Sequence, residues 1–334
     1  MNNIIKQDCI QLLDDFNNIE RFFNKSFIIT GSNGLIGNYI VNFLHFLNEK
    51  LNANVKAYCI SKHYPNEIFK EFHYITTDLT INTAFVDEID KVDYIIHAAC
   101  YATPSQFLSN KSDTIALNVD VTKKLISLAE RFNISMVFLS SGAVYGDPPI
   151  SELPISEEYP GNSTVFSTRA SYIESKKMGE VLCLNSFSKV YSARLGYIYG
   201  PGNCKGRAMG EFINQAIIDG KIFIKGFGSE LRSYCYVTDA IKMILYLLLN
   251  GKDRVYNVDG NSSISIFEVA AMIAKYFNAK LISNCASSGI EGAPKNFQLD
   301  NTKICKEFNI INFVPFEDGL IRTMEWNKGE VCGK

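Results

Sequence analysis

The stretch that decides the fold is Ser26-Phe27-Ile28-Ile29-Thr30-Gly31-Ser32-Asn33-Gly34-Leu35-Ile36-Gly37, which continues into Asn38-Tyr39-Ile40-Val41. Its first part, Phe27 to Ile29, is a short apolar run that is typical of a strand buried on both faces. From Leu35 onward the apolar residues recur at helical spacing as far as Leu47. The stretch therefore predicts a strand, a glycine-rich turn and a helix in direct succession.

The glycines of this turn lie at 31, 34 and 37, which is a GxxGxxG spacing and not GxGxxG. A helix that begins at such a turn directs unpaired backbone N–H groups and the positive end of its dipole beyond the turn. A pyrophosphate is the natural ligand of that geometry. Gly31 would allow the tight turn, Gly34 the approach of phosphate, and Gly37 the packing of helix on strand. Taken alone, three glycines leave an ordinary strand–helix turn open.

The composition is that of a globular protein of two domains or one large α/β unit, with 334 residues of which 47% are hydrophobic and 20% charged. A net charge of −2 suggests neither a nucleic-acid nor a membrane partner. The nine cysteines form no CxxC pair, which predicts a reduced, cytoplasmic protein without disulfides or a metal site. No signal peptide is visible, and the apolar run 241–249 is too short to span a membrane.

Six apolar runs predict the strands of one parallel sheet, at 27–29, 54–60, 72–75, 92–96, 136–139 and 190–195. Helices are predicted from residue 35, over about 112–132 and over about 169–187. This alternation predicts a doubly wound sheet with its ligands bound beyond the carboxyl ends of the strands. Polar clusters follow three of the runs, at 77–79, 97–99 and 140–146, so we expect them to line one cleft.

The chain is predicted to have three parts. Residues 1–23 read as an amphipathic helical extension, whose apolar face must be covered by the core or by another subunit. Residues 24–200 form the dinucleotide-binding Rossmann domain. Residues 201–330 are less regular, with helices at 207–220, 238–249, 266–277 and 316–327 and strands at 222–224, 232–236 and 255–258. They predict a smaller α/β substrate lobe, some of whose segments return to the large sheet.

Tyr172 and Lys176 have the YxxxK spacing, which places a phenol and an ammonium on one face of a helix. A nearby cation favours the phenolate, so the tyrosine pKa is expected to fall below its usual value of about 10. Tyr172 is therefore a candidate to accept the proton of a sugar or alcohol hydroxyl. Ser141, at the end of the fifth predicted strand, would hydrogen-bond the same oxygen. A surface pair and a strand-end turn residue are the alternatives.

Together these residues resemble the extended short-chain dehydrogenase/reductase family, specifically its nucleotide-sugar epimerases and dehydratases. The resemblance extends from about Phe27 to Trp326 and rests on TGSNGLIG (30–37), TDL (77–79), HAA (97–99), Asn118, SSGAVYG (140–146), YIESK (172–176), RLGYIYGPG (194–202) and LRSYCYVTDA (231–240). It implies that Ser141, Tyr172 and Lys176 are catalytic, and that Lys176 also holds the nicotinamide ribose.

The resemblance further implies the residues that bind the cofactor and the substrate. The cofactor set comprises Gly31, Ser32, Asn33, Gly34, Leu35, Ile36, Gly37, Ser61, Lys62, Asp78, Leu79, Ala98, Ala99, Asn118, Tyr172 and Lys176. The substrate set comprises Ser141, Gly142, Ala143, Tyr197, Arg207 and Arg232. Arg232 would bind the diphosphate of a nucleotide sugar, because its planar fork matches phosphate; an ordinary ion pair is the alternative.

The end of the second predicted strand departs from the family pattern. The acid expected there, which would bind the ribose hydroxyls, is absent, and the chain reads Ile60-Ser61-Lys62-His63. No carboxylate would repel a 2′-phosphate, and Lys62 and His63 would attract one. The cofactor is therefore predicted to be NAD or NADP, with a slight preference for NADP.

A second departure concerns the reaction. Family members that are 4,6-dehydratases carry an Asp-Glu pair where this chain has Gly142-Ala143, the decarboxylases carry a Glu there, and the 3,5-epimerases have a Cys at the position of Ala143. Neither glycine nor alanine can transfer a proton, so these three chemistries are disfavoured. What remains needs only hydride transfer at one carbon: 4-epimerisation, oxidation at C4, or reduction of a 4-keto sugar.

A third departure is Tyr197, which stands where many relatives have Asn and predicts an unusual substrate pocket. Cys204 and Lys205 follow in the next loop, where they either face the sugar or are simply exposed.

The leading hypothesis is a cytoplasmic, NAD(P)-dependent nucleotide-sugar 4-epimerase. The alternatives are a 4-dehydrogenase or 4-ketoreductase and, from a different class, a dinucleotide-sensing protein without catalysis. A homodimer is also predicted, as the resemblance implies, through the helices that carry Asn118 and Tyr172. Their apolar residues are Leu117, Val121, Leu125 and Leu128 on the first and Met178, Val181, Leu182 and Leu184 on the second.

Overall fold

The computed structural model describes residues 1–65, 67–202, 206–284 and 296–332. Its strands are β1 (Ser26–Thr30), β2 (Lys56–Ser61), β3 (His73–Thr76), β4 (Tyr94–His97), β5 (Ser135–Ser141), β6 (Val190–Leu195), β7 (Tyr197–Tyr199), β8 (Lys221–Lys225), β9 (Leu231–Arg232), β10 (Tyr234–Tyr236), β11 (Val255–Val258), β12 (Ile264–Ser265) and β13 (Lys280–Asn284).

Its helices are α1 (Asn3–Asp14), α2 (Leu35–Leu51), α3 (Phe85–Glu88), α4 (Pro104–Ser109), α5 (Lys111–Ala116), α6 (Thr122–Phe132), α7 (Ala170–Leu184), α8 (Ala208–Asp219), α9 (Val237–Asn250), α10 (Ile266–Phe277), α11 (Thr302–Phe308) and α12 (Phe316–Cys332). None of the described helices is both long and apolar enough to cross a bilayer.

Seven strands form one sheet in the order β11-β6-β5-β4-β1-β2-β3, and each neighbouring pair is parallel. The predicted doubly wound Rossmann sheet is thus confirmed. At its centre, Phe27, Ile28 and Ile29 of β1 are completely buried. Ile28 faces one hydrophobic cluster, and Phe27 and Ile29 face the other on the opposite side of the sheet. A strand whose two faces are both covered needs a continuous apolar run, which explains why this run is so clear in the sequence.

The helix predicted over residues 112–132 is interrupted. It consists of α5, a π-helical turn at Leu117–Val121, and α6. The carbonyl of Leu117 accepts a hydrogen bond from Nε2 of His97 at 3.0 Å, while Nδ1 of His97 lies 2.7 Å from the Thr30 hydroxyl. The buried histidine therefore connects β1, β4 and the π-helical turn. A local widening of this kind leaves no trace in the apolar periodicity.

The N-terminal extension packs on its own chain. Helix α1 contacts α2 and α9, and Ile5, Cys9 and Leu12 are buried in the main core. Asp8 is fully buried and accepts hydrogen bonds from the Tyr39 and Tyr236 hydroxyls at 2.8 and 2.7 Å and from Arg322 Nη1 at 2.6 Å. The core, and not a second subunit, thus covers the apolar face of the extension.

The second half of the chain adds elements to the large sheet and also forms small sheets of its own. Strand β11 pairs with β6 at the edge of the large sheet, and α9 packs on that sheet and on α2. The remainder includes three two-stranded sheets, β10-β7, β12-β9 and β13-β8. The strand predicted over 232–236 is divided at Ser233, whose hydroxyl donates to Asp259 instead. Several short elements were not predicted from the sequence, namely α3, α4, β7, β12, β13 and α11.

The apolar residues proposed for the dimer contact do not all face outward. Leu117, Val121, Leu125 and Leu128 are buried within the chain, in the cluster that includes Ile28. The prediction of surplus apolar surface on that helix is therefore wrong, because the sheet and α7 already cover it. On α7 the prediction is right for Met178, Val181 and Leu184, which are 47–50% exposed, whereas Leu182 packs against the core.

Candidate active site

The glycine-rich turn has the geometry that a pyrophosphate site requires. Gly31 has a positive φ of 70°, and a Cβ placed there would lie 2.7 Å from the backbone of Ala98 and Ala99. A Cβ on Gly37 would lie 2.3 Å from the Gly31 carbonyl oxygen. Helix α2 begins at Leu35 after Gly34, which supplies no side-chain cap. The turn therefore brings the uncapped N-terminus of α2 to the carboxyl edge of the sheet.

Ser32 provides a specific test of this site. Its hydroxyl is buried, the residue being 3% exposed, and it has no hydrogen-bond partner among the residues that the structure describes. Buried hydroxyls are normally hydrogen-bonded. An unpartnered hydroxyl beside the N-terminus of a helix is therefore suited to donate to an anionic oxygen of a ligand. The residues present thus fit the pyrophosphate of a dinucleotide. Leu35 and Ile36, the first residues of α2, pack against the main core.

The segment after β2 does not offer a free cation. Lys62 Nζ lies 2.7 Å from Asp78 Oδ2 and 3.2 Å from the Tyr101 hydroxyl. The hydrogen bond to Asp78 is the main cause that raises the Lys62 pKa above its usual value, and the same bond lowers the Asp78 pKa. Ser61 and Asn33 both donate to the His63 carbonyl, at 2.7 and 2.6 Å. Asp78 therefore competes with a 2′-phosphate for Lys62, which weakens the basis for the predicted preference for NADP.

The other residues predicted to bind the cofactor line the same edge. The amide of Ala98 donates to the Thr30 carbonyl and that of Ala99 to the Thr30 hydroxyl. Leu79 is buried in the cluster beneath the sheet. Asn118, in the π-helical turn, is fully buried; its Nδ2 donates to the Ser175 hydroxyl at 2.9 Å, and its Oδ1 has no partner among the described residues.

Tyr172 lies in a setting that differs from the prediction. Burial raises its pKa above the usual value. A hydrogen bond with Ser141 and the charges of Arg207 and Arg169 lower the pKa in part. Its ring stacks on Phe107, with centroids 4.6 Å apart. The expected fall of the Tyr172 pKa is therefore wrong for the protein by itself, since desolvation outweighs the cations.

Lys176 is buried on α7, one helical turn from Tyr172, but its ammonium group forms its hydrogen bond with another residue. Nζ donates to the Leu139 carbonyl at 2.6 Å and lies 4.6 Å from the centre of the Phe138 ring. Ser141, at the end of β5, accepts a hydrogen bond from the Ala143 amide at 3.2 Å. The structure thus brings Ser141 and Tyr172 together, with Lys176 one helical turn further along α7.

Gly142, the first position after Ser141, is enclosed by hydrocarbon, and Ala143 is partly buried. A Cβ on Gly142 would lie 2.4 Å from Cζ of Phe297 and 3.0 Å from Cδ1 of Leu299, so no larger side chain fits there without displacing them. Ala143 packs in the cluster that contains Phe107, Tyr172 and Ile173. The absence of an acid at 142 is therefore part of the packing of the pocket.

The predicted substrate residues from the second half lie around this enclosure. Tyr197 packs edge-on against Phe297, with centroids 5.7 Å apart, and Arg232 lies 5.5 Å from the centre of the Tyr197 ring. Arg232 is buried and its Nη1 donates to its neighbour's carbonyl, at Leu231, at 2.8 Å. Arg207 Nη1 donates to the Ile198 carbonyl at 2.7 Å. Cys204 and Lys205 lie outside the described residues.

Several residues at this site were not identified from the sequence: Phe107, Arg169, Phe297, Leu299 and Cys100. Arg169 lies three residues before Tyr172, a spacing that could have identified it. No sequence pattern indicates that Phe297 and Leu299 belong to the site, because they lie some 155 positions beyond Gly142 and contact it only through the tertiary fold.

The parallel sheet, the glycine-rich turn and the grouping of Ser141, Tyr172 and Lys176 define an enzyme of the extended short-chain dehydrogenase/reductase class. The chain belongs to the NAD dependent epimerase/dehydratase family, whose sequence model matches residues 27–259. Relatives in this group include nucleotide-sugar epimerases, dehydratases and decarboxylases, which are enzymes.

The chain is 29% identical over 266 residues to UDP-glucuronic acid decarboxylase 6 of Arabidopsis thaliana, covering 76% of this chain and 75% of that protein. It is 26% identical to dTDP-4-dehydro-6-deoxy-D-allose reductase of Streptomyces bikiniensis, covering 92% of this chain and 97% of that protein. Among solved structures, UDP-glucuronic acid 4-epimerase from Bacillus cereus, in complex with UDP-glucuronic acid and NAD, superposes with a TM-score of 0.78 at 21% identity over 91% of this chain and 99% of that one.

Proposed function

We propose that this enzyme transfers hydride at C4 of a nucleotide-linked sugar, and that its reaction is 4-epimerisation. The observation that carries the proposal is the packing of Phe297 against Gly142, next to the paired hydroxyls of Ser141 and Tyr172. A hydroxyl oxygen can be held and deprotonated at this pair. Among the described residues, Gly142, Ala143, Phe297 and Leu299 present no acid or base that could take up a second proton from a neighbouring carbon.

The chain's own residues account for the proton movement. Ser141 hydrogen-bonds the sugar oxygen and orients it toward Tyr172. Tyr172 accepts the hydroxyl proton as C4 is oxidised and returns it when C4 is reduced, a positioned transfer that contributes roughly 10²–10⁴ in rate. Arg207 and Arg169 favour the phenolate that this exchange requires, against the cost of burial.

The proposed cofactor is NAD. The turn at 31–37 would hold its pyrophosphate, Asp78 and Leu79 its adenine side, and Lys176 with Ala98 and Ala99 its nicotinamide side. When bound, NAD supplies the acceptor, and in its reduced form the donor, of the hydride. The support comes from the ion pair between Lys62 and Asp78, which competes for one of the two expected partners of a 2′-phosphate, and from related structures that contain NAD.

A nucleotide-diphosphate sugar is proposed as substrate because relatives of similar fold are complexed with UDP-glucuronic acid or UDP-glucose. Reduction of a 4-keto sugar is the second candidate. It is favoured by the likeness to a 4-dehydro-sugar reductase over nearly the whole length of both chains. The two reactions share the Ser141–Tyr172 pair and differ in whether the keto sugar is retained or released.

The test is incubation with NAD and a panel of nucleotide sugars in heavy water, followed by mass spectrometry of the products. We expect products that keep every oxygen and carbon and gain no deuterium at C5. An epimerase leaves the nicotinamide absorbance unchanged at the end of the reaction, whereas a dehydrogenase or reductase changes it in proportion to product. Loss of water or of carbon dioxide, or one deuterium at C5, would contradict hydride transfer at C4 alone.

A further inference from the structure

Helix α7 carries a buried acid that the proposed function leaves without a role. Tyr172, Lys176 and Glu180 follow one another at intervals of four residues, so they lie on one face of the helix. Each of them binds a residue at the end of β5: Tyr172 binds Ser141, Lys176 binds the Leu139 carbonyl, and Glu180 binds the Ser140 hydroxyl. The helix is therefore joined to the last three residues of this strand at three successive turns.

Glu180 forms a buried ion pair with Arg194 of β6. Glu180 is 4% exposed, and the guanidinium places Nη2 2.7 Å from Oε2 and Nε 3.0 Å from Oε1 of its carboxylate. The Ser140 hydroxyl also donates to Oε1, at 2.6 Å. Two N–H···O bonds from one guanidinium fix the orientation of both partners, and a buried carboxylate without them would be strongly destabilising. The side chain of Glu180 is thus held in one position.

Arg194 connects this pair to the second half of the chain. Its Nη1 donates to the Tyr145 hydroxyl at 2.8 Å, and that hydroxyl donates to Asn257 Oδ1 at 2.8 Å. Asn257, in β11, also donates to the carbonyl of Asp300, which directly follows the segment that packs on Gly142. One network of buried side chains therefore joins α7 to three strands of the large sheet and to that segment.

The other groups around Tyr172 act on it in a different way. Arg169 and Arg207 favour the phenolate through their charge, and Cys100 packs against the cluster that contains the Tyr172 ring. Glu180 lies two helical turns further along α7. Its contacts determine where the helix lies on β5, and so where the phenol lies relative to the end of that strand.

We propose that Glu180 and Arg194 are positioning residues, which hold α7 at the place on β5 where the Tyr172 hydroxyl meets Ser141. This inference rests on the proposed function, which gives Tyr172 and Ser141 their roles in proton transfer. One residue of an α-helix spans about 1.5 Å along the axis, and a misplacement of about 1 Å reduces a rate by about a hundredfold. A small displacement of α7 along β5 would therefore lower kcat more than it changes KM.

The first variant is Ser140→Ala, which removes the hydrogen bond between β5 and Glu180 and leaves the ion pair intact. We expect kcat to fall about threefold to tenfold, with KM for the nucleotide sugar changed by less than about twofold. Ser192→Ala is the matched control, because Ser192 is buried on the neighbouring strand β6 and its hydroxyl has no hydrogen-bond partner among the described residues. The control should keep the kcat and the KM of the unmodified enzyme.

The pH profile of kcat separates positioning from a general loss of stability. The hydrogen bond with Ser141 lowers the Tyr172 pKa. Displacement of α7 weakens that bond and raises the pKa, so the acidic limb of the profile should move to higher pH by about half a unit in Ser140→Ala. A variant that is only less stable keeps the profile of the unmodified enzyme.

The second variant, Ser140→Ala/Glu180→Leu/Arg194→Met, replaces the three polar groups together, so that neither buried charge is left without a partner. Replacement of a buried ion pair by apolar side chains often leaves stability unchanged or raises it. We therefore expect a folded protein by denaturant unfolding that binds NAD by calorimetry, with kcat lowered about tenfold or more.

The outcomes separate this inference from the proposed function. Equal kcat values and pH profiles for Ser140→Ala and Ser192→Ala, or full activity of the folded triple variant, would overturn the inference and leave hydride transfer at C4 intact. If the triple variant does not fold, the comparison of Ser140→Ala with Ser192→Ala decides. Undiminished activity of Tyr172→Phe, or no turnover of any nucleotide sugar by the unmodified enzyme, would contradict the proposed function and this inference with it.

Discussion

Tyr172 is placed so that its ionisation depends on a balance of opposing groups. The side chain is 7% exposed and stacked on Phe107, which disfavours a phenolate, while Arg207, Arg169 and the hydrogen bond with Ser141 favour one. Lys176, the lysine of the sequence motif, donates to the Leu139 carbonyl. Burial therefore acts against the phenolate, while the two arginines and Ser141 act in its favour.

The first prediction at this scale is that Tyr172→Phe lowers turnover at least tenfold while NAD stays bound. Only the hydroxyl that exchanges the proton is removed, and the aromatic packing on Phe107 is retained. Turnover is measured by product formation, and NAD binding by calorimetry. Tyr64→Phe, at an exposed tyrosine, serves as the control and should leave turnover and NAD binding unchanged. Retention of more than a tenth of the activity by the Tyr172 variant would remove Tyr172 from the mechanism.

The second prediction concerns Asp78. Replacing it by asparagine removes the partner of Lys62, which then becomes available to a 2′-phosphate. We expect the unmodified enzyme to bind NAD more tightly than NADP, and Asp78→Asn to reduce that ratio at least threefold, as measured by calorimetry with both cofactors. The exposed Asp87→Asn provides a control of equal charge change. Tighter binding of NADP by the unmodified enzyme would contradict the role given to the ion pair.

Among the secondary-structure elements, the π-helical turn at Leu117–Val121 is joined to the sheet by a buried histidine. His97 is 1% exposed and bridges the Thr30 hydroxyl and the Leu117 carbonyl. Burial lowers its pKa to about 3, so the ring is neutral in the folded protein at ordinary pH. The turn also carries Asn118, whose amide group reaches Ser175 on α7. Protonation of His97 would therefore disturb the contact between this turn and the helix that carries Tyr172.

This gives a prediction on pH and stability. The unfolded chain binds a proton on His97 below about pH 6.5, and the folded chain does not bind it until about pH 3. The free energy of unfolding should therefore fall as the pH is lowered through this window, by about 1.4 kcal/mol per pH unit from this group. His97→Gln should lack that component when denaturant unfolding is compared at about pH 7 and about pH 5.

His73→Gln, at an exposed histidine, is the control and should keep the slope of the unmodified protein. Asp239 and Asp259, whose pKa values burial raises to about 6, titrate in the same window in all three proteins and cancel in the comparison. An identical slope for His97→Gln and the unmodified protein would show that the histidine is not kept neutral by the fold.

At the scale of the whole molecule, the two halves of the chain meet at the active site. Strand β11 extends the large sheet, and Asp259 directly after it binds Ser233 and the Leu299 amide. Phe297, two residues before Leu299, packs against Gly142. At the other end of the chain, Asp8 of α1 binds Arg322 of α12 and Tyr236 of β10. The two halves of the chain are thus joined by polar contacts of two buried carboxylates, Asp259 and Asp8.

The prediction at this scale is a homodimer in which α7 contacts its copy. Met178, Val181 and Leu184 form an exposed apolar stripe on α7. Leu108 of α4 and Ile115 of α5 are also exposed, and both of these helices contact α7. We expect a dimer by light scattering at micromolar concentration, and a monomer for Val181→Glu. Ile81→Glu places the same charge at another exposed apolar residue and should remain dimeric. A monomeric unmodified protein would refute the prediction.

The sequence by itself determined the sheet, because strands buried on both faces must be continuous apolar runs and the helices between them must show an apolar stripe. From local spacing and the family resemblance it also predicted Ser141, Tyr172 and the turn at 31–37 as site residues, and these roles stay predictions. Short elements such as α4 and β7, and the π-helical turn, have too few residues to show a periodic pattern of apolar residues in the sequence.

Only the tertiary structure decided the ionisation, the ion pairs and the free space at the site. The pKa of Tyr172 depends on its burial, and the space at Gly142 depends on Phe297 from the other half of the chain. Lys62 pairs with Asp78, which follows the neighbouring strand β3. These are contacts between residues far apart in sequence, and desolvation and steric exclusion act through space. Residue type and spacing along the chain carry no record of them.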